Sequence, residues 1–402
     1  MLRTTLVPVA VLLCIFVWGV TDTAPAAAAT YHVMTTGSDG NPCSSSAPCR
    51  TITHGLSVLS AGDTLVIHEG TYAENNLQPP GGSSGSPVTV MGAPGETVTI
   101  QPTSNLNPGF ELSQEKAFIT LKNLKLDGNE FISYGIRIYA ADVILDSIEI
   151  AYPRNQGVAL YRSPEGTSQR ATLRNLNVHH AGQGASGCNG TVSKPGYCHG
   201  VYMTSSDNVI DGGSYANNNG YGIQNYPAGD NNIIRNTKVF NNRGGMAMMY
   251  GSNRRVYNNV VFNNTVTVGI WIGDYNSLYY SNTVYGNTGD GGIQIDQGSA
   301  QVKNTISVNN SSNVQNNGGA SVSSSITSGS VNFVNAGAGD FHLLASATNA
   351  IGQGTVLGSP YDTDLDGNPR SQGSAYDIGA YAFGSSAQLP PPLRLRVIST
   401  MP

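Results

Sequence analysis

Three of the chain's seven histidines, His179, His180 and His199, bracket one short stretch. Imidazole is the side chain whose ordinary pKa suits proton transfer near neutrality. The stretch between them holds Cys188, Lys194 and Cys198, and Arg137, Arg154 and Arg162 lie upstream. Aromatic residues recur at regular intervals as Tyr139, Tyr161, Tyr202, Tyr226 and Trp271, with Tyr221 and Gln224 among them. Sugar rings have apolar faces and polar rims, so aromatic platforms beside amides suit them. Stacking between strands is the other use of such a series. Hydrolysis of a glycosidic bond needs two carboxylates; Asp274 and Asp296 are the available pair, and Asp274 also reads as a turn residue. Asp362, Asp364 and Asp366 before Gly367 have the spacing of a calcium loop. They lack the acidic residue that completes an EF-hand, and Asp with Gly makes a turn equally well.

Composition limits the elements that can position these groups. Of 402 residues, 49 are Gly and 20 are Pro; only 11% are charged, while 39% are hydrophobic. Coiled coils and charge-driven disorder are excluded by so few charges. Twenty basic against 25 acidic residues give a net charge of −5, unlike a nucleic-acid binder. The mixture rich in Gly, Asn, Ser, Thr, Val and Ile suits short strands and tight turns.

A repeat supplies those strands. Gly followed by aliphatic, any residue and usually aliphatic begins at Gly135, Gly157, Gly200, Gly222, Gly245, Gly269 and Gly292. The steps are 22, 43, 22, 23, 24 and 23 residues. Asn or Asp follows a strand-like run at Asn123, Asp146, Asn175, Asp211, Asn236, Asn258, Asn282 and Asn304 on the same beat. Alternation such as Val143 to Ile150 means strand. Three short strands per step make a triangular coil, and stacked coils bury what one coil cannot. Asn at equivalent turns is expected to form an amide ladder along the stack. The 43-residue step marks one coil with an extra loop, between Ala181 and Cys198.

These Gly-aliphatic units and Asn turns resemble the repeats of right-handed parallel β-helix proteins, the pectate-lyase-like group. Tyr31 to Tyr72 is similar to that group's N-terminal cap, with Thr36-Gly-Ser-Asp-Gly, Cys49-Arg-Thr-Ile, Ala61-Gly-Asp-Thr and Glu69-Gly-Thr-Tyr. Asp364 to Arg370 and Asp377 to Tyr381 resemble a terminal module that follows such helices in exported bacterial proteins. The resemblance implies an all-β, right-handed parallel β-helix solenoid, with a short capping helix around Thr51–Leu59. It implies that the strand opening at each repeated Gly floors a binding cleft and that the preceding loop forms its wall. With aliphatic residues inward, alternation turns Arg137, Tyr139, Tyr161, Tyr202, Thr204, Gln224, Tyr226, Trp271, Gln294 and Asp296 outward. His199 and Tyr221, just before their glycines, are expected outward too.

The expected activity is cleavage of a uronic-acid polysaccharide by β-elimination. Arg137 neutralises the carboxylate, His199 or His180 takes the proton, and Tyr202 protonates the leaving oxygen. Tyr139, Tyr161, Arg162, Lys194, Tyr221, Gln224, Tyr226 and Trp271 bind substrate. No outward cleft-strand Lys and no Asp-Pro-His motif is found, and Cys198-His-Gly200 matches the Gly-His-Gly of polygalacturonases only in part. A non-catalytic glycan-binding or adhesion β-helix and a glycoside hydrolase are the alternatives. No cofactor is required, calcium at Asp362, Asp364 and Asp366 being the one candidate. A polysaccharide is the expected partner, with no nucleic acid, no membrane after signal cleavage (a retained N-terminal anchor being the alternative) and a monomeric protein.

Arg3, the apolar run from Leu6 to Val20 and the small residues Ala26 to Ala29 read as a secretory signal peptide over 1–29. Four cysteines then remain, and an even number in an exported chain suggests two disulfides. The economical pairing is Cys43 with Cys49 and Cys188 with Cys198; the spacings do not suit zinc. Residues 30–118 are read as the cap and first coils, 119–318 as repeats and 319–383 as C-terminal coils and cap. The Ser- and Pro-rich 384–402 reads as a disordered tail.

Overall fold

The computed structural model describes residues 27–103, 106–163, 166–183, 188, 197–371 and 374–384. The signal-peptide reading of residues 1–26 and nearly all of the tail lie outside them. Among the described residues the chain is an all-β, right-handed parallel solenoid with almost no helix. Successive coils build three parallel sheets, of 12, 10 and 9 strands, the first coils lacking a strand in the second or third. The first sheet begins with Thr30–Val33, the second with Gly70–Tyr72 and the third with Phe110–Leu112. No described helix is long and apolar enough to cross a membrane.

Strict alternation builds the core. In Val143–Asp146, for example, Val143 and Leu145 are fully buried while Ile144 and Asp146 are not. Aligned coils stack Ile, Val, Leu and Met into one continuous apolar column. The helix Ile52–Ser57 plugs its N-terminal end with Ile52 and Leu56. Thr51 caps that helix by accepting a bond from the His54 amide at 3.1 Å. Glu74 accepts from the Ile52 and Thr53 amides, so the first turn has no orphan donors there.

The repeated glycine has a steric cause. At the corner where each coil enters the third sheet, the chain passes close to the next coil's glycine. A Cβ on Gly135 would lie 2.5 Å from the Gly157 carbonyl oxygen, and one on Gly157 would lie 2.6 Å from that of Gly200. Any side chain there would drive two coils apart.

The asparagine ladder is only partly where the sequence places it: Asn282 is an inward rung, and on the outer side Asn258 donates to Asn236 at 3.4 Å and Asn236 to Asp211 at 2.9 Å. Asn123, Asn175, Asn236, Asn258 and Asn304 occupy left-handed turn positions between the first and second sheets. The inward rung is the next residue, as in Thr237, Asn259 and Asn282. The longer ladder lies at the following turn: Asn218, Asn242, Asn264, Asn287 and Asn310. Each side-chain amide donates to the next carboxamide oxygen at 2.9–3.1 Å. Asp146 and Asp211 sit one place before the turn, on the outer face of the first sheet. In their column the signs alternate as Asp146, Arg174, Asp211, Arg235. Arg174 meets Asp146 at 3.0 Å and Arg235 meets Asp211 at 2.7 Å.

The C-terminal part also differs from expectation. Coils continue through Val314–Asn316 and Ser321–Ser323. Beyond them the chain doubles back along the flank of the solenoid instead of closing its end. Phe333, Phe341, Leu343, Ile378 and Tyr381 cover an apolar patch with Val260, Phe262, Ile306 and Val308. Fully buried Arg370 bonds Asn258, far up the stack, at 3.0 Å. Both expected disulfides, Cys43–Cys49 and Cys188–Cys198, are formed.

Candidate functional site

Parallel register turns the Gly-led strands into two outward columns on the third sheet. One runs Glu111, Arg137, Ala159, Tyr202, Gln224, Ala247, Trp271, Gln294, Gln315. The second, two residues on, holds Tyr139, Tyr161, Thr204, Tyr226 and Asp296, all partly or fully exposed. Tyr202, Tyr226 and Trp271 therefore share one outer face, as alternation requires.

One end of this face is aromatic. Tyr161 stacks on Tyr139 at 5.6 Å between ring centres and meets Tyr134 and Tyr202 edge-on at 6.2 and 5.9 Å. The Arg137 guanidinium lies over the rings of Tyr134 and Tyr139 at 5.3 and 5.9 Å. Its Nε donates to Glu111 at 2.6 Å, so this cation already has a carboxylate. Burial raises the Tyr161 and Tyr202 phenols above the ordinary value, which keeps them protonated. Arg162 is exposed beside this end, its amide bonded to Thr204 Oγ1 at 2.6 Å. The other end is rich in amides. Asp296 accepts from Trp271 Nε1 at 2.7 Å and from Gln294 at 2.8 Å.

His199 and Tyr221 depart from the outward expectation, both being 3% exposed. They sit where the wall turns into the floor. His199 Nδ1 accepts the Tyr221 backbone amide at 2.9 Å, and its ring stacks on Tyr202 at 5.7 Å. Burial lowers its pKa to about 3, so the imidazole is neutral. With Nδ1 accepting, the proton is on Nε2.

His180 is elsewhere. It follows the second-sheet strand Asn177–His179 in a left-handed turn with φ 60°. Its ring stacks on Tyr152 at 4.8 Å, and its Nδ1 lies 2.7 Å from that of His179. Burial, and then His179, lowers its pKa. Among the described residues no bond or ring contact joins this pair to His199. Lys194 lies outside the described residues.

The proposed hydrolytic pair does not form. Asp274 is fully buried, paired with Arg254 at 3.2 Å and bonded by the Tyr279 hydroxyl at 2.8 Å. It belongs to the interior, while Asp296 faces out.

The Asp-rich loop also turns its carboxylates to other partners. Asp364 accepts the amides of Asp366, Asn368 and Ala382. Asp366 bonds His342 at 2.8 Å, and that ring bonds Asp340 at 2.6 Å. Asp362, Asp364 and Asp366 do not converge as a ligand cluster among the described residues. The one converging set, Cys43, Cys49 and His54, contains a disulfide.

Sequence reasoning missed Glu111, Tyr134 and Tyr250. Tyr134 immediately precedes Gly135, as His199 and Tyr221 precede their glycines, so superposing the coils would have found it. Exposed Tyr250 meets Tyr226 at 5.6 Å, but a register shift after Met249 hides it from any repeat.

Comparisons with known proteins agree with this architecture. The family described as right handed beta helix region matches residues 189–336. A family of unknown function, DUF1565, matches 35–78. Pectate lyase Pel9A superposes with a TM-score of 0.68 at 17% identity, covering 88% of this chain and 96% of that one. A glycoside hydrolase does so at 0.58 and 8% identity, covering 73% and 96%. An alginate lyase from Paenibacillus sp. str. FPU-7 reaches 0.51 at 15% identity, covering 74% and 99%. An uncharacterized protein, YwoF of Bacillus subtilis (strain 168), is 28% identical over 116 residues, spanning 27% of this chain and 25% of its own length. Such likeness shows a pectate-lyase-like β-helix fold.

Proposed function

We propose that this chain is a secreted, polysaccharide-active protein. It lays an acidic, uronic-acid-containing polysaccharide along the outer face of the third sheet and cleaves it by β-elimination. The carrying observation is that outer face: rings recur from Tyr139 to Trp271 along the coils, with the amide of Gln224 among them and those of Gln294 and Gln315 beyond. Ring faces take sugar faces while amides take hydroxyls. Two proteins of similar fold are named a pectate lyase and an alginate lyase, and both of those polymers are acidic. Two disulfides suit an oxidising compartment.

In this reading Arg137, steadied by Glu111, meets the substrate carboxylate. Tyr202, kept protonated by burial, donates to the leaving oxygen. His199 is neutral, as a base must be. It accepts a proton only on giving up the Tyr221 amide, a loss of about 1–3 kcal/mol. That engaged nitrogen favours a second reading, glycan binding without cleavage.

Pectate, alginate and glycosaminoglycans separate the readings when followed for ultraviolet-absorbing unsaturated ends and for reducing sugar. Unsaturated ends that vanish in Tyr202→Phe, with the fold intact, are expected. Reducing sugar without unsaturation refutes the lyase. Retention on a glycan with neither signal makes the protein a binder.

A further inference from the structure

Beside the floor of the third sheet, a groove of about 380 Å³ runs along the turns that lead out of the second sheet. One rim is a row of left-handed residues from successive coils: His180, Asn217 and Asn241, with φ of 60°, 56° and 55°. The opposite rim is Gln183, Asn219 and Arg243. Beneath them runs the inner ladder, where Asn218 Nδ2 donates to Asn242 at 2.9 Å. That ladder consumes its own amides internally, so the rims face solvent.

Among the described residues the lining is amide, imidazole, guanidinium and the Thr265 hydroxyl, with no carboxylate and no large apolar side chain. Such a surface repels neither hydroxyls nor anions and offers nothing to a lipid or an apolar peptide. Gln183 and Asn219 are already oriented, by the Asn217 carbonyl at 3.0 Å and the Gly182 carbonyl at 3.4 Å. The rim groups recur once per coil, every ~4.8 Å. A pyranose chain laid parallel to the solenoid axis advances by a similar step per ring, so successive rings meet equivalent donors.

We infer that this groove is a second carbohydrate site, non-catalytic, for a carboxylate-bearing oligosaccharide lying parallel to the axis. The inference deepens, and rests on, the reading of an acidic glycan as ligand. Its described lining sets no carboxylate beside His180, so its work is to hold polymer beside the floor.

The test is affinity electrophoresis of the full chain in native gels containing polygalacturonate or alginate, with dextran as the neutral comparison. Asn241→Gly removes an exposed amide while easing the left-handed turn, and Arg243→Gln removes the charge. Trp271→Ala reports on the floor. Circular dichroism and thermal midpoints establish that each variant is folded. Each groove variant is expected to weaken retardation about tenfold, the loss of one hydrogen bond to a charged group. The effect of Arg243→Gln should shrink with added salt. Groove and floor losses should add, because the sites are separate. A double groove variant retarded like wild type, while Trp271→Ala is not, overturns the groove and leaves the floor standing. Equal retardation by dextran overturns the carboxylate class. Wild type retarded by neither acidic polymer overturns both readings.

Discussion

Replacing Asn264 by Ala removes the middle rung of the longer ladder. The Asn264 carboxamide oxygen accepts the Asn242 backbone amide at 3.0 Å and its side-chain amide at 3.1 Å. Its own amide reaches Val239 O, Phe262 O and Asn287 Oδ1. After truncation the Asn242 side chain keeps the Tyr215 carbonyl at 2.9 Å, and Asn287 keeps the Asn264 backbone amide at 3.0 Å. The Asn242 backbone N–H, fully buried, is left with nothing. One orphaned buried donor costs about 1–3 kcal/mol, and each further bond lost about 1 kcal/mol. With the Asn242 side-chain bond and the two that the hydrogens of the Asn264 amide make, the expected loss is about 4–6 kcal/mol. Its neighbour Asn263 has φ 54° and lies on the outer side of the turn, so Asn263→Gly should be close to neutral. Urea unfolding followed by Trp271 fluorescence measures both. An Asn264→Ala loss below about 1 kcal/mol, or equal losses in the two variants, would refute the ladder as a buried hydrogen-bond network.

Three further outcomes are expected. Trp271→Ala should weaken retention on an acidic glycan at least about thirtyfold in affinity gels, the usual cost of truncating a central aromatic anchor; unchanged retention would move the site off this sheet. Gly157→Ala should cost at least about 3 kcal/mol in urea, because its Cβ meets both a carbonyl of the next coil and the Val178 side chain; near-wild-type stability would contradict that close approach. His342 should make the C-terminal flank pH-sensitive. Asp366, and with it Asp340, raises the imidazole above its ordinary value despite partial burial, with Lys238, Asp364 and Tyr381 nearby. The charged form is the bound form, so its contribution is full below about pH 6.5 and is lost as pH rises through the higher folded value. Thermal midpoints across that range should fall in wild type more steeply than in His342→Gln; parallel curves would show that the clasp carries no weight.

Most of the solenoid was legible because one coil constrains the next. Gly135, Gly157, Gly200, Gly245 and Gly269 repeat because two backbones touch at that corner, while side chains crowd Gly222 and Gly292, and a contact that recurs leaves a recurring residue. The outer face of the third sheet followed from the same beat, and Tyr202, Tyr226 and Trp271 lie where alternation puts them. Phase within a turn was less legible. Asn236 and Thr237 are both polar, and only geometry distinguishes the left-handed residue from the inward one. The doubled-back flank left no periodic mark, since Phe341 and Tyr381 meet Phe262 and Lys238 across long loops. Burial of His199 was also hidden, because a residue just before the glycine can face the floor or tuck beneath it.

The alternating column on the first sheet restricts how such a protein can change length. Remove the coil bearing Arg174 and Asp146 is carried onto Asp211; remove the one bearing Asp211 and two guanidiniums are brought together. A single-coil deletion there trades an attraction for a repulsion, whereas excising two neighbouring coils restores opposite signs. In this stretch the solenoid can be shortened or extended in doublets, while odd changes are confined to loops such as the long one after Ala181, which leave the vertical order of charges untouched.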